Sequence, residues 1–229
     1  MKIGIIGAGL IGGTLTRRLA ELGHEVSVAN SRGPASLAEL ATETGATAAA
    51  VQEAARSGEI VFVTIPVRNI PDLPNDLFDG VSDDVIVVDT GNYYPRERDG
   101  RIDEIEDGMA ESRWVAKQLG RPVLKAINTL HWRSLLEDGK PEGAAGRIAI
   151  PVAGDDEAGK AKVIQLFGEL GFDGIDAGGL DDSWRQQPGA PAYAANLDAQ
   201  AARRALSEAS PKRKPELRAA ANSSIGKPA

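Results

Sequence analysis

A glycine turn set between a strand and a helix constrains this chain more than any other stretch. Lys2-Ile3-Gly4-Ile5-Ile6 is an apolar run that enters Gly7-Ala8-Gly9-Leu10-Ile11-Gly12 without a break. A helical pattern follows through Leu15, Leu19 and Leu22, and a second strand is expected from Glu25 to Ala29. Each glycine of such a turn has its own duty. Gly7 permits the tight reversal, Gly9 lets backbone approach a pyrophosphate, and Gly12 lets the helix sit close to the sheet. The helix start, with Leu10 and Ile11 in its first turn, offers unpaired N–H groups and a partial positive charge to phosphate. Glycine turns are common, so the motif alone is weak. Strand before, helix after and second strand at the right distance make it a dinucleotide-binding unit.

The end of the second strand selects the dinucleotide. A carboxylate there would accept hydrogen bonds from both ribose hydroxyls and repel a 2′-phosphate. This chain has Asn30-Ser31-Arg32 instead. Asn30 is neutral, Ser31 can donate a hydrogen bond, and Arg32 can pair with phosphate through its planar fork. NADP(H) is therefore the expected cofactor, against the alternative of a solvated loop that happens to hold an arginine.

Composition removes several chemistries. The net charge of −7 argues against nucleic-acid binding, which needs a basic surface. With no cysteine, disulfides, thiol catalysis and iron–sulfur ligation are excluded, and with only His24 and His131 no histidine-rich metal site is expected. No apolar run approaches the roughly 20 residues that span a bilayer. A strand beginning at Lys2 leaves no space for a signal peptide ahead of it, so a cytoplasmic protein without a membrane partner is expected.

Strands and helices alternate along most of the chain. Helices are expected over Ser36 to Glu43, Glu53 to Arg56 and Met109 to Leu119. Glu59 to Ile65, ended by Pro66, and Asp84 to Asp89 are unalternated β-branched runs, typical of parallel strands covered on both faces. Pro122 to Ile127 is a further strand. After a polar connection over residues 137–147, Ile148 to Ala153, the helix Glu157 to Leu170 and Phe172 to Asp176 make another βαβ unit. A last helix runs from Asp198, its N-cap, to Ala209. The fold class is α/β, a doubly wound parallel sheet whose later elements extend it or form a small C-terminal α/β lobe. The division is a nucleotide domain over 1–135, a lobe over 136–209 completing the substrate cleft, and a polar, basic tail over 210–229. That tail reads as a surface tether or, more simply, a weakly packed terminus.

Ligands of open α/β sheets sit beyond the carboxyl ends of the strands. That nominates Thr64, Ile65, Pro66 and Val67, then Thr90, Gly91 and Asn92, then Asn128 and Thr129. Asn92 and Asn128 could bind carboxamide or substrate, or could cap turns. His131 is the candidate proton donor, set against a helix-terminal packing pair with Trp132. The restricted loop Trp184 to Gly189 could close over substrate, connect domains or meet another copy. Tyr93-Tyr94-Pro95 carries the same ambiguity.

Taken together, Gly7-Ala8-Gly9-Leu10-Ile11-Gly12, Asn30-Ser31-Arg32, Thr64-Ile65-Pro66 and Lys125-Ala126-Ile127-Asn128-Thr129 resemble the NADP oxidoreductases dependent on the deazaflavin coenzyme F-420. The cytosolic domain of mammalian ferric reductases of the six-transmembrane prostate type is similar. The resemblance covers about residues 1–180. It implies a Rossmann domain with a small C-terminal lobe and direct hydride transfer between NADPH and a flavin-like ring. It also implies that Thr64, Ile65, Pro66 and Asn128 line the dinucleotide while Ser31 and Arg32 hold the 2′-phosphate. From Asp181 to Pro188 the chain departs from the deazaflavin enzymes, so the acceptor stays open among a deazaflavin, a flavin and other small planar molecules. The expected activity is an NADP-dependent oxidoreductase, in a homodimer. A hydroxy-acid or imine reductase and a non-catalytic NADP sensor are the alternatives.

Overall fold

The computed structural model describes residues 1–219, so the last ten positions of the expected tail lie outside the described residues. Strands β1 (Lys2–Ile6), β2 (Glu25–Ala29), β3 (Thr47–Ala48), β4 (Ile60–Val63), β5 (Ile86–Asp89) and β6 (Leu124–Lys125) form one parallel sheet in the order β3-β2-β1-β4-β5-β6. From β1 the chain first builds outward through β2 and β3. It then crosses to β4 on the other side of β1, and that reversal opens a crevice at the carboxyl ends of β1 and β4. Ile5 faces Val28 on one side and Phe62 on the other, all fully buried. Strands buried on both faces need no polar alternation, which is why their sequences read as continuous apolar runs.

Helix α1 (Leu10–Glu21) leaves the glycine turn and packs Leu15 and Leu19 into the main core. It is followed by α2 (Ala38–Thr44), entered through a 3-10 turn over Pro34–Leu37, and by α3 (Val51–Ser57). Next come α4 (Asp103–Glu106), α5 (Glu111–Leu119) and α6 (Trp132–Glu137). The last βαβ unit is β7 (Ala149–Val152), α7 (Glu157–Glu169) and β8 (Asp173–Asp176), and α8 (Ala199–Ser207) closes the series. Asp198 caps α8 as expected, accepting a hydrogen bond from the Ala201 amide at 2.8 Å. Among the described residues no helix is long and apolar enough to cross a membrane.

Strands β7 and β8 pair in parallel as a separate small sheet. That sheet is joined to the edge of the large one by an antiparallel bridge between Lys125 and Ala153, whose two hydrogen bonds measure 2.7 and 3.0 Å. Val163, Leu166, Phe167 and Phe172 of this unit belong to the same core as Ile3, Leu15 and Phe62. Burying one such aromatic is worth about 1.5–3 kcal/mol, so the C-terminal unit contributes to the stability of the whole. The expected boundary at residue 135 falls inside α6, which packs on α1.

Other expectations shift for local reasons. The strand expected from Pro122 to Ile127 shrinks to Leu124–Lys125. Pro122 has no N–H to donate, and Ile127 sits at φ 66, in the left-handed region that a β-branched residue rarely enters. The helix expected from Ser36 begins later as true α-helix, because Gly33-Pro34 start a 3-10 turn. Strand β3, with only two residues, carries no periodicity to detect. The basic tail is the main correction: residues 211–219 are held against α4 and α5. Arg213 Nη2 donates to Glu111 Oε1 at 2.5 Å, and the Ala219 amide donates to Glu106 Oε1 at 3.0 Å.

Candidate active site

The glycine turn has the geometry its sequence demands. Gly7 has φ 108, and a side-chain carbon added there would lie 2.8 Å from Thr64 and Ile65 atoms. One added at Gly12 would lie 1.8 Å from the Gly7 carbonyl oxygen, so only glycine lets α1 come this close to β1. At Gly9 the same carbon would meet nothing within 4 Å. Among the described residues no contact requires a glycine there, and the space above the turn is open. Gly9 is the N-cap of α1, with no side-chain cap and no acidic residue in the first turn, leaving the positive helix end open. Leu10 stands 65% exposed beside it, and Ile11 is half-buried against the core.

Around this turn lies a cleft of about 670 Å3. Gly7 and Gly9 form its floor, Asn30, Ser31 and Arg32 one end, and Thr64, Ile65 and Pro66 its other wall. The Thr64 hydroxyl donates to the Gly7 carbonyl at 2.7 Å, tying the end of β4 to the turn. Ser31 and Arg32 are exposed, and among the described residues neither side chain has a hydrogen-bond or ion-pair partner. Gln52 from the start of α3 and Asn69, Asp72, Leu73 and Pro74 also line the cleft. Sequence reasoning missed these five. They follow a strand too short to detect or belong to the turn-rich stretch after Pro66.

Asn92, Asn128 and His131 lie outside that lining. The Asn92 amide donates to the Asn128 carbonyl at 3.0 Å, and Asn128 Nδ2 donates to Asn92 Oδ1 at 3.1 Å and to the Gln186 carbonyl at 2.7 Å. Gln186, fully buried, returns a bond from its Nε2 to Asn128 Oδ1 at 2.9 Å. This lattice knits the ends of β5 and β6 to the segment Leu180–Gln186 of the C-terminal unit. The Tyr94 and Tyr193 hydroxyls meet nearby across the two units, and the Ala194 amide donates to the Thr129 carbonyl. Burial, then the neighbouring Tyr193 hydroxyl, raises the Tyr94 phenol above its ordinary range. His131 is exposed and caps α6, its Nδ1 accepting from the Arg133 amide at 3.3 Å, with its ring tilted against Trp132. From the expected loop, Trp184 stacks under Arg185, while Gln187, Pro188 and Gly189 face residues 210–214 rather than the nucleotide cleft.

Beneath these strand ends runs a set of buried charges. Asp89 Oδ2 accepts from Lys125 Nζ at 2.9 Å and from the Ser112 hydroxyl at 2.7 Å, while Oδ1 accepts the Gly91 amide at 2.8 Å. Lys125, with no exposed side-chain surface, also donates to the Gly91 carbonyl at 2.5 Å. Glu111 accepts from the Tyr93 amide at 3.1 Å and from Arg213. Complete burial pushes the Glu111 carboxyl upward, against the opposing pull of Lys125 and Arg213. The positions of Gly91 and Asn92 are thereby fixed by charge pairs that form no part of the cleft.

Comparison with known proteins agrees with this geometry. Residues 2–93 match the model of the family described as NADP oxidoreductase, coenzyme F-420-dependent. The solved structure of a hypothetical protein from Sinorhizobium meliloti is 31% identical, covers 86% of this chain and 95% of its own, and superposes with a TM-score of 0.73. A "putative F-420-dependent NADP-reductase" from Arthrobacter sp. FB24 is 25% identical, with 79% and 86% covered and a TM-score of 0.63. The protein YjhV of Escherichia coli K12 is 39% identical over 79 residues, which are 34% of this chain and 50% of that protein; the match thus spans half the length of that relative. On the glycine turn, the strand order 3-2-1-4-5-6 and these matches, residues 2–93 belong to the coenzyme F-420-dependent NADP oxidoreductase family, and the chain as a whole shares its fold with the Sinorhizobium meliloti protein.

Proposed function

We propose that this protein is an NADPH-dependent oxidoreductase that moves hydride between NADPH and a small planar acceptor, a deazaflavin or flavin being the class the family suggests. The carrying observation is the cleft itself. It gathers an open helix N-terminus, a Gly9 position with free space where a side chain would be, and an unpartnered Arg32 guanidinium around one volume. The first-turn amides of α1 receive the diphosphate, Ser31 and Arg32 bind the 2′-phosphate, and Thr64, Ile65 and Pro66 hold the nicotinamide half. Bound NADPH supplies the hydride. The chain's share is alignment and exclusion of water, which hydride transfer needs more than an acid or a base. The acceptor end then falls at the carboxyl ends of β5 and β6, walled by Asn92, Asn128 and the Tyr94–Tyr193 pair. The asparagines serve there by holding backbone in place, their amides being bonded to each other and to Gln186.

The C-terminal unit weighs against a hydroxy-acid or imine reductase of the two-domain type. After Ile150 the chain adds α7, β8 and the nine-residue α8 in place of a long all-helical domain. The test is direct. Purified protein with NADPH is offered coenzyme F-420, FMN, ferric chelate, quinones and small carbonyls while absorbance at the NADPH band is followed. Oxidation with one planar acceptor is expected. Tight NADPH binding without oxidation by any of them would reject the enzyme and favour a sensor.

A further inference from the structure

Asn30 sits at the end of β2 where dinucleotide folds place the residue that reads the adenosine ribose. Its side chain, however, is already committed. Oδ1 accepts the Arg32 amide at 2.9 Å, and Nδ2 donates to the Ser36 hydroxyl at 2.9 Å. Ser36 in turn donates to the Gly33 carbonyl at 2.8 Å, and its amide reaches the same carbonyl at 3.1 Å. Gly33 has φ 83, and the Gly33 amide closes back on the Asn30 carbonyl at 3.4 Å. The result is a tight loop sewn at both ends by one amide side chain, with Ser31 and Arg32 standing out from it unpartnered. Side-chain-to-backbone bonds two residues on are the means by which asparagine imposes a turn.

We propose that Asn30 is a positioning residue that sets the preference for NADPH over NADH by fixing the backbone that carries Ser31 and Arg32, with Ser36 as its support, and that it makes no bond to the 2′-phosphate. This inference rests on the NADPH reading given above. Asn30 then acts through Arg32. Removing it releases the Arg32 backbone, so the guanidinium spends less time at the phosphate position. The rest of the nucleotide, held by the glycine turn, is unaffected.

A double-mutant cycle tests this. Dissociation constants for NADPH, NADH and 2′,5′-ADP are measured by titration calorimetry on the unaltered protein and on Asn30→Ala, Arg32→Ala and the double variant. Thermal unfolding reports whether each has folded. Arg32→Ala is expected to weaken NADPH roughly tenfold to a hundredfold with NADH nearly unchanged, the worth of a charge-assisted hydrogen bond. Asn30→Ala is expected to lose roughly tenfold for NADPH alone, and to add nothing in the Arg32→Ala background, since a residue acting through another is not additive with it. Ser36→Ala gives a smaller loss of the same kind. Losses that add would show Asn30 on the phosphate itself, and equal losses for NADH would show general collapse of the loop; either overturns the inference. Asn30→Asp supplies an independent variant. It keeps an acceptor for the Arg32 amide while adding a negative charge, so NADPH should fall further than in Asn30→Ala and NADH should hold. An unchanged NADPH preference in Asn30→Asp would likewise overturn the placement of this loop. Should the unaltered protein show no preference for NADPH over NADH, the functional reading fails together with this inference. A clear preference with additive losses defeats the inference alone.

Discussion

The two ends of the carboxyl edge of the sheet are built in opposite ways. At the β1–β2 end the glycine turn and the loop after β2 lie within the first thirty-six residues, and their own contacts run mostly between near neighbours: Asn30 with Arg32 and Ser36, Gly12 against Gly7, with Thr64 of the opposite wall joining from the end of β4. At the β5–β6 end the contacts join positions far apart. Lys125 reaches Asp89, Asn128 reaches Gln186, Tyr94 reaches Tyr193, and Arg213 reaches Glu111. The first end is specified by local chemistry and open to a ligand. The second is specified by buried charge and amide networks and is closed upon itself. On the proposed reading, the phosphate half of the cofactor meets the former, whereas the shape of the latter depends on how the C-terminal unit docks.

The largest expected effect probes the second end. Lys125→Met leaves Asp89 buried without its cation, and breaking such a pair typically costs about 3–5 kcal/mol. Urea unfolding should show that loss. At the first end, Gly12→Ala forces α1 away from β1 and should both lower stability and abolish tight NADPH binding. Gly9→Ala divides those two outcomes. Its stability should fall by no more than about 1 kcal/mol, the cost of alanine in place of glycine at an N-cap, while NADPH affinity falls by roughly tenfold or more because the new methyl occupies the diphosphate's space. Equal damage to stability and binding at Gly9 would erase the contrast between the two ends.

The smallest effect concerns acid. The Leu180 amide, and then Arg113 against the cost of burial, holds the Asp155 carboxyl below its ordinary range. A depressed folded value means the stabilisation is present above the unfolded value of about 3.9 and is lost as pH falls through the folded one. Asp155→Asn should therefore lower stability modestly at neutral pH, where the contribution is present, and flatten the low-pH arm of the profile, where the unaltered protein loses it. An unchanged acid arm would show that the contact between α5, Asp155 and Leu180 carries no weight in docking the C-terminal unit.

The same contrast explains what could be read from sequence. Gly7 to Gly12, the strand that follows and Ser31-Arg32 were legible because strand and helix periods, turn chemistry and charge all act over short spans. Lys125 and Asp89 were visible only as residues at strand ends; their pairing is long-range and leaves no local pattern. The expected strand to Ile127 overran because apolar character continues where the backbone turns. His131 stood out as a rare residue type, and in the structure it caps a short helix beside Trp132, the packing pair that the sequence also offered. The tail looked weakly packed because Pro-Lys-Arg-Lys-Pro is polar, and polarity in sequence does not reveal a buried carboxylate waiting elsewhere.

That tail also bears on the order in which the protein comes into being. Glu106 and Glu111 are buried beneath a stretch of chain translated about a hundred residues later. Until Arg213 and Arg218 emerge from the ribosome, a nearly finished sheet holds two carboxylates without their cations. Assembly is thus sealed from its far end, and any fusion or cleavage that removes residues from 213 onward should yield chains that collapse around the glycine turn yet stay prone to proteolysis at α4 and α5.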